Sequence, residues 1–239
     1  SSSVRGLWAG SVSGTDDTID YVTIATTGNA TDFGNLTTTG YYPSASCASA
    51  TRGMFAGASG SVRIDYVTIA TTGNATNFGN LSSGRYGGAG CSSPTRGLFA
   101  GGYGSNVIDY VTIATTGNAT DFGDLHTDVY APAGCSSSTR GIFAGGAEGT
   151  VTNTNVIDYV TIATTGNATD FGDLTAARSS LAAASSDLVG VFAGEASGAV
   201  NVIDRITIAS AGNATDFGDL SVSRSALAGC SNGHGGLGL

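Results

Sequence analysis

Apolar positions along the chain fall in short alternating runs, and glycine interrupts each run before a helical stripe can develop. The clearest run, I-D-Y-V-T-I-A at residues 108–114, is rich in β-branched and aromatic residues and is bounded by T-T-G-N. That pattern predicts a strand. Neither alternating face of the run is purely polar, which suits a sheet covered on both sides. T-G-N-A is turn chemistry, because Gly and Asn tolerate positive φ. The following N-A-T-D-F-G-D-L reads as the returning strand of a hairpin. R-G-L-F-A-G reads as a short strand stopped by glycine, and A-G-C-S-S as a strand of small side chains.

These runs recur. The block I-D-Y-V-T-I-A-T-T-G-N-A-T-D-F-G appears nearly verbatim five times, beginning at Ile19, Ile64, Ile108, Ile157 and Ile203, at spacings of 45, 44, 49 and 46 residues. The R-G-x-F-A-G block begins at Arg5, Arg52, Arg96 and Arg140 and degenerates to Val189-Gly190-Val191-Phe192. The small-residue block lies around Cys47, Cys91, Cys135, Ala184 and Cys230. Four short strands per unit predict propeller blades. In the order A (A-G-C-S-S), B (R-G-L-F-A-G), C (I-D-Y-V-T-I-A) and D (N-A-T-D-F-G), the units span approximately 1–42, 43–86, 87–130, 131–179 and 180–225. The chain opens in a B strand, and residues 226–232 read as an unpaired A strand. Pairing that strand with the first B strand would close the ring and remove an exposed edge. The expected fold is therefore all-β: a single five-bladed propeller with four antiparallel strands per blade, followed by a tail at 233–239.

Composition narrows the function classes. Charged residues are 11% of the 239, hydrophobic residues 41%, and the net charge is -9, with every base an Arg. Low charge with retained apolar content argues against disorder. An acidic chain without a basic cluster argues against binding nucleic acid. No apolar run is long enough for membrane insertion as a helix, and no signal peptide is visible.

The A–B and C–D turns hardly differ between units, whereas the B–C and D–A loops differ in length and content. Scaffold positions repeat because each blade packs alike, and loops without that duty can diverge. The variable face is thus the expected recognition face. Its candidate ligand-binding residues are Tyr41, Tyr42, Arg85, Tyr86, Tyr103, His126, Asp128, Tyr130, Arg178 and Arg224. Aromatic faces beside short polar groups suit sugar rings or a protein partner. The competing expectation is that these side chains only cover the blade ends. His126, Asp128 and Tyr130 form the sole local cluster that a propeller enzyme such as a glycosidase could use, and no catalytic residue is assigned. The four Cys are read as small buried residues. No metal site or cofactor is expected, since C-x-x-C is absent and His126 and His234 are not repeat-equivalent. The strand C ring Asp20, Asp65, Asp109, Asp158 and Asp204 and the strand D ring Asp32, Asp121, Asp170 and Asp216 are read as blade-internal hydrogen-bond acceptors.

Residues 224–230 (R-S-A-L-A-G-C), F-A-G-G at 99–102 and 143–146, and T-D-F-G-D-L at 120–125 resemble the kelch repeat, with Phe where Trp is usual. In kelch domains the Arg opening strand A often lines the ligand face, a role matched here by Arg85, Arg178 and Arg224. The wording V-T-I-A-T-T-G-N-A-T-D-F-G-D-L resembles repeat proteins of tailed phages of marine cyanobacteria. That resemblance implies a virion structural or tail-associated protein, found on the particle, with other virion proteins and a host surface glycan or protein as partners. A kelch-type protein-interaction scaffold is the alternative.

Overall fold

The computed structural model describes residues 2–10, 16–39, 45–57, 60–149, 152–196 and 200–231. The described residues form five antiparallel sheets in a propeller arrangement and one separate two-stranded sheet, and none of them is helical. Blade one holds β1 (Arg5–Ala9), β2 (Thr18–Thr23) and β3 (Thr31–Asn35). Blade two holds β4 (Ala45–Ala48), β5 (Arg52–Ala56), β6 (Arg63–Thr68) and β7 (Thr76–Asn80). Blade three holds β8 (Ala89–Ser92), β9 (Arg96–Ala100), β10 (Val107–Thr112) and β11 (Thr120–Asp124). In blade four, β12 (Ala133–Ser136) and β13 (Arg140–Ala144) precede a two-stranded hairpin, β14 (Ala147–Glu148) and β15 (Thr152–Asn153). β16 (Val156–Thr161) and β17 (Thr169–Asp173) complete that blade. Blade five holds β18 (Ala182–Ser185), β19 (Val189–Ala193), β20 (Val202–Thr207) and β21 (Thr215–Asp219).

Each blade sheet runs in chain order, so strands successive in a blade are antiparallel neighbours, with β14 and β15 inserted between β13 and β16. The C–D pairing shifts register at the same place in all five blades, between the Ile and Asp of I-D-Y, as at Ile108/Asp109. Blades two to five have the four predicted strands. Blade one has three, and the segment 226–231 forms no strand. It lies against β18 instead, where the Ser185 amide donates to Ser231 Oγ at 3.2 Å.

Small residues in strand A are explained by crowding. A Cβ on Gly90 would sit 2.3 Å from the Ser46 carbonyl oxygen, and one on Gly134 would sit 2.6 Å from that of Gly90. Serine hydroxyls bridge the same strands: Ser92 Oγ donates to Ala48 O at 2.8 Å, Ser136 Oγ to Ser92 O at 2.8 Å, and Ser185 Oγ to Ser136 O at 3.0 Å. These strands surround a central cavity of about 410 Å³, which Leu7, Trp8 and Ala9 and the stretch from Leu227 to Ser231 also line. Cys47, Cys91 and Cys135 are buried, as expected, and burial pushes the Cys47 and Cys135 thiols up to about 12. Cys230 is exposed, which departs from the expectation.

The apolar core lies between blades. Each of the four junctions joins the strand D Phe of one blade to the strand B Phe of the next: Phe33 with Phe55, Phe78 with Phe99, Phe122 with Phe143, and Phe171 with Phe192. The T-G-N-A turn supplies the polar half of each junction. Gly73 N donates to Phe33 O at 2.7 Å and Ala75 N to Asn35 O at 2.8 Å, while Asn74 Oδ1 accepts from Asn35 N at 3.1 Å. Asn118, Asn167 and Asn213 accept equivalent bonds from Asn80, Asp124 and Asp173. The turn thus covers the edge of the preceding strand D, which would otherwise offer unpaired backbone groups.

The Arg of the R-G block also crosses a junction. Arg52 Nη1 donates to Ile113 O at 2.7 Å, and its guanidinium lies 4.6 Å from the Tyr66 ring centroid. Arg5, Arg96 and Arg140 repeat both contacts.

Candidate functional site: the variable loop face

Three of the sequence-predicted tyrosines meet on the variable face, although they come from three different loops. Tyr86 lies between β7 and β8, Tyr103 between β9 and β10, and Tyr130 between β11 and β12. The rings of Tyr86 and Tyr103 stack, with centroids 5.2 Å apart and planes 11° from parallel. Tyr130 meets Tyr86 edge-on at 5.7 Å and 72°. This combination of stacked and T-shaped contact is the favourable quadrupole arrangement.

The backbone fixes the group. Tyr103 N donates to Tyr86 O at 2.9 Å, Gly102 N to Val129 O at 2.8 Å, and Ala131 N to Gly87 O at 2.6 Å. Tyr130 exchanges both backbone bonds with Ala147 of the β14–β15 hairpin, at 2.9 and 2.8 Å. Gly87 has φ +70°, and a Cβ there would sit 2.2 Å from the Tyr130 ring. Only glycine lets that ring approach. Tyr103 is 54% exposed, while Tyr86 and Tyr130 are half-buried. The result is a fixed aromatic shelf with Tyr103 as its open surface.

Beside the shelf, His126, Thr127 and Asp128 are exposed. Thr127 Oγ1 lies 3.3 Å from Glu148 Oε1 and donates to it, tying the loop to the hairpin. His126 N donates to Asp158 Oδ2 at 3.0 Å, and His126 Nδ1 lies 3.4 Å from Asp158 Oδ1. Burial holds the Asp158 carboxyl above its ordinary range, and the contacts with His126 act against that rise.

Arg85 and Arg178 require a correction. Both are buried, so neither guanidinium faces a ligand. Arg85 Nη2 pairs with Asp109 Oδ2 at 2.8 Å and donates to Phe99 O at 3.0 Å. Arg178 pairs with Asp204 and donates to Val202 O at 3.0 Å. Burial lowers the Arg85 pKa and the Asp109 charge opposes that. The strand C carboxylates are corrected with them, because their partners lie in the preceding D–A loop and not within the blade. Asp65 accepts from Thr37, Asp109 from Ser82 and Arg85, Asp158 from His126, and Asp204 from Thr175 and Arg178. The strand D ring does act locally: Asp32, Asp121, Asp170 and Asp216 each accept from the amide two residues on.

Arg224 is exposed. Tyr41 and Tyr42 lie outside the described residues. Convergence of the three tyrosines had no signal in the local sequence, because it depends on loops separated by whole strands.

No family model matches the chain, and no curated protein matches it.

Proposed function

We propose that the protein is a recognition module of a phage particle, a kelch-like disc whose variable face holds a host surface glycan. We further propose that residues 226–232 pair with β1 to close its ring. The observation that supports recognition is the shelf of Tyr86, Tyr103 and Tyr130. It is tied together by backbone hydrogen bonds between loops, partly exposed, and built from loops that differ between units. A stacked aromatic face covers the apolar face of a sugar ring, and the neighbouring Asp128 and His126 supply hydrogen-bonding groups. The wording of the repeats supports placement in a virion with other virion proteins.

The test is binding of the purified chain to a glycan array and to host cells, with Tyr103→Ala as the variant. Truncating an exposed anchor should weaken binding about tenfold, or about 1–2 kcal/mol. Thermal stability should hardly change, because Tyr103 is outside the inter-blade cores. Unchanged binding in Tyr103→Ala would remove the shelf from the reading. Binding to a protein in place of any glycan would favour the interaction-scaffold alternative.

A further inference from the structure

The two ends of the blade series expose matching halves of a junction that the molecule builds four times elsewhere. On blade five, Phe217 is 62% exposed, whereas its equivalents Phe33, Phe78, Phe122 and Phe171 are buried. On blade one, Trp8 stands in the strand B Phe position and is 40% exposed, and Ile24 is 47% exposed where Ile69, Ile113, Ile162 and Ile208 are buried. The polar groups match as well. Asp20 is exposed, while the other four strand C carboxylates are buried against Thr, Ser, His or Arg of the preceding loop. Arg224 is exposed, while Arg85 and Arg178 at the equivalent position are buried on Asp109 and Asp204.

Departures from the repeat gather at the same two faces. Val189 replaces the Arg that elsewhere crosses to the next blade. Leu188 and Val4 stand at the turn position of Thr51, Thr95 and Thr139, which is exposed in the interior units as well. The blade-five face therefore lacks the crossing Arg of the internal ones, and each end face carries one half of a charge pair.

We propose that blade five docks on blade one of the same chain through a lock in which Arg224 and Ser221 engage Asp20, over a core of Phe217, Trp8 and Ile24. This rests on the ring-closure reading and specifies the side chains that would hold the seam. Both ends already border one cavity, through Leu7, Trp8 and Ala9 and through the stretch from Leu227 to Ser231. Tethered faces meet at a high effective concentration, which favours the same chain over a second copy.

Trp8 is the single Trp of the chain, so its fluorescence reports the seam directly. The experiment compares acrylamide quenching of Trp8 in the full chain, in Arg224→Glu, and in the charge exchange Asp20→Arg with Arg224→Asp, with the mass of each species measured across dilution. The lock predicts a monomer with shielded Trp8, a rise in quenching of about threefold or more in Arg224→Glu, and recovery in the exchanged variant. Shielded Trp8 in all three would overturn the Arg224–Asp20 lock while leaving closure intact. Readily quenched Trp8 in the unaltered monomer would overturn closure itself. Shielding that appears only with a doubled mass would assign the face to a second copy.

Discussion

At the residue scale, four strand C carboxylates are buried and are compensated from the preceding D–A loop. Asp204 is fully buried and holds Arg178 and Thr175. Arg178→Ala would leave that carboxylate without its cation, and a loss of about 3–5 kcal/mol is expected in chemical denaturation. Removing Arg178 and Asp204 together, with apolar replacements, should cost less than removing the Arg alone. Asp158 differs because its partner is an exposed His and not a buried Arg. Burial raises its folded pKa above the ordinary 3.8. A carboxyl with a raised folded pKa favours the folded state while protonated, and that advantage is lost as pH climbs from the unfolded value through the folded one. Asp158→Asn keeps the shape and the bond from His126 N. Its melting temperature, relative to the unaltered protein, should therefore rise with pH across that window. A difference independent of pH would contradict this account.

At the element scale, the T-G-N-A turn explains why one block is repeated almost letter for letter. Its backbone is the docking surface for the previous strand D, so its shape tolerates little change. A Cβ on Gly79 would sit 2.1 Å from the Gly117 carbonyl oxygen, and Gly79 has φ +158°. Gly79→Ala should therefore cost about 3 kcal/mol or more. Gly117→Ala should be mild, since nothing lies within 4 Å of a Cβ there. Comparing the two denaturation midpoints tests the docking directly. The strands themselves were legible from the sequence, because alternation, β-branching and glycine stops are local signals. Repetition also separated constant turns from variable loops. The destination of the strand A opening arginines was not legible. Arg85 meets Asp109 and Arg178 meets Asp204 only once the entry loop folds over strand C of the blade it leads into, and spacing along the chain carries no trace of that contact. The tyrosine shelf was hidden for the same reason: its three members were readable singly, and their meeting depends on tertiary geometry.

At the scale of the whole molecule, stability is a sum of junctions more than of blades, since the apolar clusters each span two sheets. The acidic balance, with net charge -9 and a sequence pI near 4.3, keeps molecules apart at neutral pH. Turbidity should therefore rise as pH approaches 4.3 and clear again above it. Clear solutions through that range would mean that charge is not what keeps the molecules dispersed. The internal junctions have a further consequence. Because turn and strand D meet through nearly the same backbone surface at each one, an interior unit could be exchanged for another with its neighbours left undisturbed. Reordering whole units at the constant turns would deal the variable loops into new orders while the framework beneath keeps folding.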